Sequence, residues 1–162
     1  MSLPEPVRAL LGRRVHETGN VVAVETGPIR TYAAAVQDAN PRYWSETDPI
    51  APPAMVSAWF QPHPWEPGSA EPAVPLALHF EVKALLGYPA AVMTGCALTF
   101  FAPVRPGDSL TSAQRLVAVG EERATRLGTG RSWEIDVEYT SELGAPVASE
   151  RWTAFGYRSE RS

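Results

Sequence analysis

Residues Pro28 to Phe60, PIRTYAAAVQDANPRYWSETDPIAPPAMVSAWF, hold two helical segments separated by a polar turn, and their reading decides the fold. Gly27-Pro28 marks a start, because proline's missing N–H costs least in the first helical turn. Ile29, Tyr32, Ala33 and Val36 follow at i, i+3, i+4 and i+7, which is one helical face. Asp38, Asn40, Pro41 and Tyr43 lie in the turn just beyond that face. A second helix is expected to restart at Pro53, where Met55, Val56, Trp59 and Phe60 form two i, i+4 pairs. No charged residue occurs between Pro49 and Phe60, so the second helix is expected to be buried. The turn then sits beside a buried helix N-terminus.

Working outward, residues 5–11 predict a short helix ended by Gly12, with Val7, Leu10 and Leu11 facing inward. Residues 15–24 alternate loosely and predict a first strand, ending at Thr26-Gly27-Pro28. Residues 61–75 carry five prolines without a period and predict an extended surface loop. LALHFEVKALLGY (76–88) fits either a strand or a short helix. AVMTGCALTFFAPV (91–104) is apolar enough for a central strand, with Cys96 as a small buried filler. Residues 110–119 predict another strand. Residues 131–140 alternate cleanly, Trp133, Ile135, Val137 and Tyr139 on one face and Ser132, Glu134, Asp136 and Glu138 on the other. A last strand is expected over 146–157, completing an antiparallel meander. An antiparallel sheet needs one face covered, and Pro28 to Phe60 is the only long apolar helical material. The fold class is therefore α+β: one domain spanning 1–162, an antiparallel sheet wrapped around a central helix.

The 162 residues suffice for one domain with a real core. Fourteen Lys and Arg against 18 Asp and Glu give a net charge of −4 without a basic stripe, which argues against nucleic acid or an anionic membrane as a partner. A single cysteine leaves no disulfide framework and no metal-binding cysteine pair. No cofactor and no metal are expected. No window reaches the roughly 18 apolar residues of a membrane span and the start lacks a signal-peptide run, so a cytoplasmic setting is expected.

The turn and the second half together resemble the MaoC-like acyl dehydratases and (R)-specific enoyl-CoA hydratases, which have the hot-dog fold. That family's motif runs Asp-x-Asn-Pro-x-His; the matching residues here are Asp38, Asn40, Pro41 and, at the place of the histidine, Tyr43. FFAPVRPGDSLTSAQRLVAVGEE and the segment from Thr125 to Tyr157 are similar to the N-terminal dehydratase class, which includes non-catalytic subunits of heteromeric enzymes. The resemblance implies an acyl-CoA or acyl-carrier thioester as substrate. It also implies a dimer-like unit, either a homodimer or a pair with a MaoC-like catalytic subunit.

Hydration of a 2-enoyl thioester needs a base for water, an acid for the alpha carbon and a stabilised enolate oxygen. The resemblance assigns the water to the Asp and His, and the thioester oxygen to N–H groups at the start of the buried helix. This chain departs at both places. Histidine titrates near about 6.5 and tyrosine near about 10, which makes Tyr43 roughly a thousandfold poorer as a base at neutral pH. Ala51-Pro52-Pro53 stands where a glycine is usual, and two prolines remove two N–H donors. The chain is expected to be a supporting subunit that shapes the acyl channel without supplying the dyad. The alternatives are a self-sufficient homodimeric hydratase, and an acyl-CoA-binding module or hot-dog thioesterase.

Asp38 and Tyr43 are thus the candidate catalytic positions, with turn formation and packing as their structural roles. Asn40, Trp44, Pro53, Met55 and His79 are candidate channel residues; His79 lies between Leu78 and Phe80, where a satisfied core histidine is the plainer reading. His63 has no partner at metal-ligand spacing. Gly128-Thr129-Gly130 predicts a tight hairpin. Arg126 and Arg131 flank it and are candidate contacts for the phosphates of CoA, against the ordinary reading of solvated surface arginines.

Overall fold

The computed structural model describes residues 2–61, 67 and 74–159. Most of the proline-rich stretch, where a surface loop is expected, lies outside the described residues, as does His63.

Helix α1 (Glu5–Leu10) buries Val7 and Leu10, with Pro6 in its first turn. Gly12, at φ 72°, turns the chain into strand β1 (Arg14–Gly19), which is shorter than expected. The reason is that the N–H groups of Val21 and Val22 both donate to the carbonyl of Trp59 (2.9 and 3.1 Å) and not to a neighbouring strand. Helix α2 (Thr26–Ala35) buries Ile29 and Ala33, two members of the predicted face.

The segment restarting at Pro53 is a 3-10 helix (Pro53–Phe60), not an α-helix. Pro52 and Pro53 bring no N–H, and bonds such as Met55 N–H to the Pro52 carbonyl (2.9 Å) close i+3 turns. Burial of Met55, Val56 and Trp59 holds a 3-10 run of unusual length. The ambiguous stretch forms helix α3 (Ala77–Leu85), with Leu78, His79 and Val82 buried.

Strands β2 (Ala90–Phe100), β3 (Leu110–Val119), β4 (Arg123–Thr125), β5 (Gly128–Ser141) and β6 (Pro146–Arg158) follow. All pair antiparallel with spatial order β1-β3-β5-β6-β2, and β4 pairs with β5. The meander β3-β5-β6 is as predicted. Strand β2 is not central: it forms one edge of the sheet, and every residue from Met93 to Phe100 is exposed. Cys96 is therefore exposed, contrary to the filler role expected of it. Its apolar run was legible, but an uncharged edge strand has the same composition as a buried one.

The sheet curls around a helical layer made of two pieces. The 3-10 helix and α2 cover one half, where Trp59, Val137, Tyr139 and Ala148 meet; α1 and α3 cover the other, where Leu78 and Val82 meet Leu116, Trp133 and Ile135. Gly156 makes the second half fit, since a Cβ there would lie 2.6 Å from the ring of Trp133 and 2.8 Å from that of Tyr88. The central helix of the hot-dog arrangement is thus split between the 3-10 helix and α3.

Candidate functional site

The turn after α2 is built by its own side chains. Gln37 takes a left-handed conformation (φ 56°) and the Asp38 N–H returns to the Ala33 carbonyl at 2.8 Å, which closes the helix. Asp38 Oδ1 accepts the Asn40 N–H (2.9 Å), and Asn40 Oδ1 accepts the Arg42 N–H (3.1 Å). Two successive side-chain turns of this kind are what Asp and Asn do best in loops. Trp44, 41% exposed, donates its Nε1–H to the Asp38 carbonyl at 3.0 Å. Asp38 and Asn40 are exposed, whereas Tyr43 is buried in the same apolar cluster as Ile29 and Ala33. The turn thus sends its aspartate outward and its tyrosine inward.

The backbone at the start of the 3-10 helix offers little to an oxyanion. The Ala51 N–H donates to the Val104 carbonyl at 2.8 Å, and Pro52 and Pro53 have none. Pro53 is exposed and lines a 220 Å³ cavity with Ile50, Val56 and Phe100; Met55 is buried beneath.

A larger cavity of 760 Å³ lies between the 3-10 helix, α3 and the concave face of the sheet. Phe60, Leu76, Phe80, Met93, Val137 and Trp152 give it apolar walls. Its polar lining includes Ser57, His79, Lys83, Gln114, Tyr139 and Glu150, with Thr18, Gln61 and Ser112 beside them. Trp152 Nε1–H donates to Glu150 Oε2 at 3.1 Å, and the Tyr139 hydroxyl is hydrogen-bonded to both Glu150 and Ser57. Burial, reinforced by the neighbouring Glu150 carboxylate, pushes the Tyr139 phenol well above the usual tyrosine range. That ring stays neutral and serves as a hydrogen-bond donor.

His79 reaches this cavity from α3. Its ring lies 5.3 Å from that of Trp133 and 5.0 Å from that of Phe80, and its buried Nδ1 has no partner. Burial, together with the Lys83 ammonium one turn along the helix, lowers its pKa and favours the neutral imidazole.

The two arginines face opposite ways. Arg126 is exposed beside Arg123 and Phe155, and Phe155 pairs with Ser132 on the convex side of the sheet. Arg131 shares the phase of Trp133, is only 7% exposed, and donates from Nη1 to the Gly120 carbonyl at 3.1 Å. Of the candidate site residues read from the sequence, His79 alone lines the large cavity. Ser57, Glu150 and Trp152 are not among those candidates, and Tyr139 is read there only as part of a strand face. The available signal was phase: Glu150 falls in register with Ala148, Trp152 and Ala154, a carboxyl group on the inward-facing side of β6. Among the described residues no group of three or more His, Cys, Asp or Glu side chains is placed to hold a metal.

A curled antiparallel sheet around a split helical layer, with a cavity between them, defines a hot-dog protein. The chain belongs to the family described as FAS1-like, dehydratase domain region, which it matches over residues 9–150. It is 28% identical over 153 residues to a probable enoyl-CoA hydratase alpha subunit of Thermomonospora curvata, the match covering 83% of this chain and 45% of that one. The chain therefore spans less than half the length of this curated relative. Its fold is similar to that in the ChsH1–ChsH2 complex of Mycobacterium tuberculosis (22% identity, 92% of this chain and 86% of that chain, TM-score 0.73). It is also similar to a MaoC-like dehydratase of Rhodospirillum rubrum (16% identity, 88% and 90%, TM-score 0.59).

Proposed function

We propose that this chain is the supporting subunit of a heteromeric 2-enoyl thioester hydratase, acting in reverse as a 3-hydroxyacyl thioester dehydratase, and that it holds the acyl part of the substrate. The observation that carries this reading is the start of the 3-10 helix: Ala51 has spent its N–H on Val104, and Pro52 and Pro53 have none. An enolate oxygen placed there would find no donor among these three residues. Asp38 and Tyr43 support the same conclusion, since one carboxylate oxygen caps a turn and the phenol ring packs in the core. A MaoC-like partner carrying the Asp and His would deprotonate water and protonate the alpha carbon. This chain would supply the 760 Å³ cavity, a size that suits a small-molecule acyl group.

The partner surface in this reading is β2. Its eleven residues, Ala90–Phe100, contain no charge, and Met93, Leu98 and Phe100 are each more than 40% exposed. Natural proteins protect an edge strand with charges, proline or a cover, and a partner strand is the cover that fits here. No helix among the described residues is long and apolar enough to cross a membrane, and we place the assembly in the cytoplasm.

Hydration of a short and a bulky 2-enoyl-CoA is measured with the pure chain and with the chain co-expressed with a MaoC-like partner. Turnover is expected only with the partner, and robust turnover by the chain alone overturns the reading. Asp38→Asn, which keeps the turn-forming side-chain oxygen, should leave kcat/KM of the heteromer within about twofold.

A further inference from the structure

Treated only as a container for an acyl chain, the large cavity leaves its polar residues unexplained. Glu150 is 5% exposed, and no Arg or Lys among the described residues forms an ion pair with it. Its identified partners are neutral donors, Trp152 Nε1–H and the Tyr139 hydroxyl, the latter tied in turn to Ser57. A carboxylate has about four lone-pair directions, so two remain beyond these bonds, in a residue that lines the cavity. His79 adds a buried Nδ1 with no partner on the same lining. A plain hydrocarbon chain filling this space would displace water from these groups and bond to none of them, which is costly.

We propose that the cavity selects acyl groups bearing a hydroxyl remote from the thioester, and that Glu150, oriented by Tyr139 and Trp152, accepts the hydrogen bond from that hydroxyl. The inference rests on the reading that this cavity holds the acyl part of the substrate. It names Glu150 as a specificity-determining residue, with Tyr139 and Ser57 as positioning residues behind it. The apolar walls would bind the carbon skeleton of hydroxylated and plain chains alike; of the polar residues on the lining, Glu150 is the buried carboxylate with acceptor capacity to spare, and the proposal places discrimination there.

The test uses the heteromer and 2-enoyl-CoA thioesters of eight to fourteen carbons, each with and without a terminal hydroxyl. At one or more lengths the hydroxylated member should be preferred in kcat/KM by about tenfold or more, the size of a hydrogen bond to a charged group. Glu150→Leu should abolish that preference by lowering kcat/KM for the hydroxylated member, which loses its acceptor, and raising it for the plain one, which no longer covers an unpaired carboxylate; a merely structural role would lower both together. If Glu150→Leu does not fold, Glu150→Gln decides, because its neutral amide oxygen accepts a weaker bond and the preference should fall severalfold. A preference near one at every length, or one that these variants leave unchanged, overturns the inference while the proposed function stands. If none of the thioesters is turned over and none quenches tryptophan fluorescence, the channel reading falls, and this inference with it.

Discussion

Phe100→Lys tests the partner surface on β2. The ring is 45% exposed, so the share of its transfer energy available to a partner is about 0.7–1.4 kcal/mol of the ~1.5–3 kcal/mol for burying a whole phenylalanine. A lysine also brings an ammonium into a seam whose side on this chain is uncharged; with its stem free to reach toward water, roughly 2 kcal/mol is a modest cost. Together these amount to about 3 kcal/mol, or roughly a hundredfold rise in Kd. Sedimentation velocity over a concentration series, with the MaoC-like partner and without it, reads the shift. Leu143→Lys serves as the control, since Leu143 is 94% exposed in the turn between β5 and β6 and far less of it is packed on this chain. Thermal melting of the free variant checks that the fold survives. If Phe100→Lys associates as tightly as the unaltered chain, or if the unaltered chain stays monomeric with every partner at tens of micromolar, β2 is not the interface.

Two further outcomes follow from packing and burial. His79 has its folded-state pKa lowered, first by burial and then by Lys83, while in the unfolded chain it titrates near 6.5. The unfolded chain therefore takes up a proton that the folded one resists. Stability should fall as the pH drops below about 6.5, and this contribution should vanish above it. Urea midpoints at pH 7.5 and 5.5 should differ less in His79→Phe than in the unaltered chain, and equal differences would refute the assignment. Gly156→Ala would place a methyl group 2.6 Å from Trp133 and 2.8 Å from Tyr88, too close for carbon. A cost of about 1–3 kcal/mol is expected for such overpacking, and with it a melting temperature lower by roughly 2–4 °C per kcal/mol. An unchanged melting curve would mean that the two rings yield freely.

The sequence by itself determined the hot-dog arrangement and the family. The periods of α1, α2 and β5, the meander β3-β5-β6 and the Asp38-x-Asn40-Pro41-x-Tyr43 turn all survive in three dimensions, because each is set by local chemistry: helical phase, strand alternation or side-chain turn formation. The paired prolines also announced the missing donors without help from coordinates, since proline lacks its N–H wherever it sits. The place of β2 was decided only in the tertiary structure. An uncharged run of eleven residues suits the middle of a sheet or a partner-covered edge equally well, and only the order β1-β3-β5-β6-β2 separates the two. The same holds for the division of the helical layer between a 3-10 helix and α3, and for the burial of Arg131. Most of all it holds for Ser57, Tyr139, Glu150 and Trp152, whose hydrogen bonds join residues from the 3-10 helix and two strands. No spacing along the chain encodes that meeting; it exists because the sheet curls and brings its concave face under the helices.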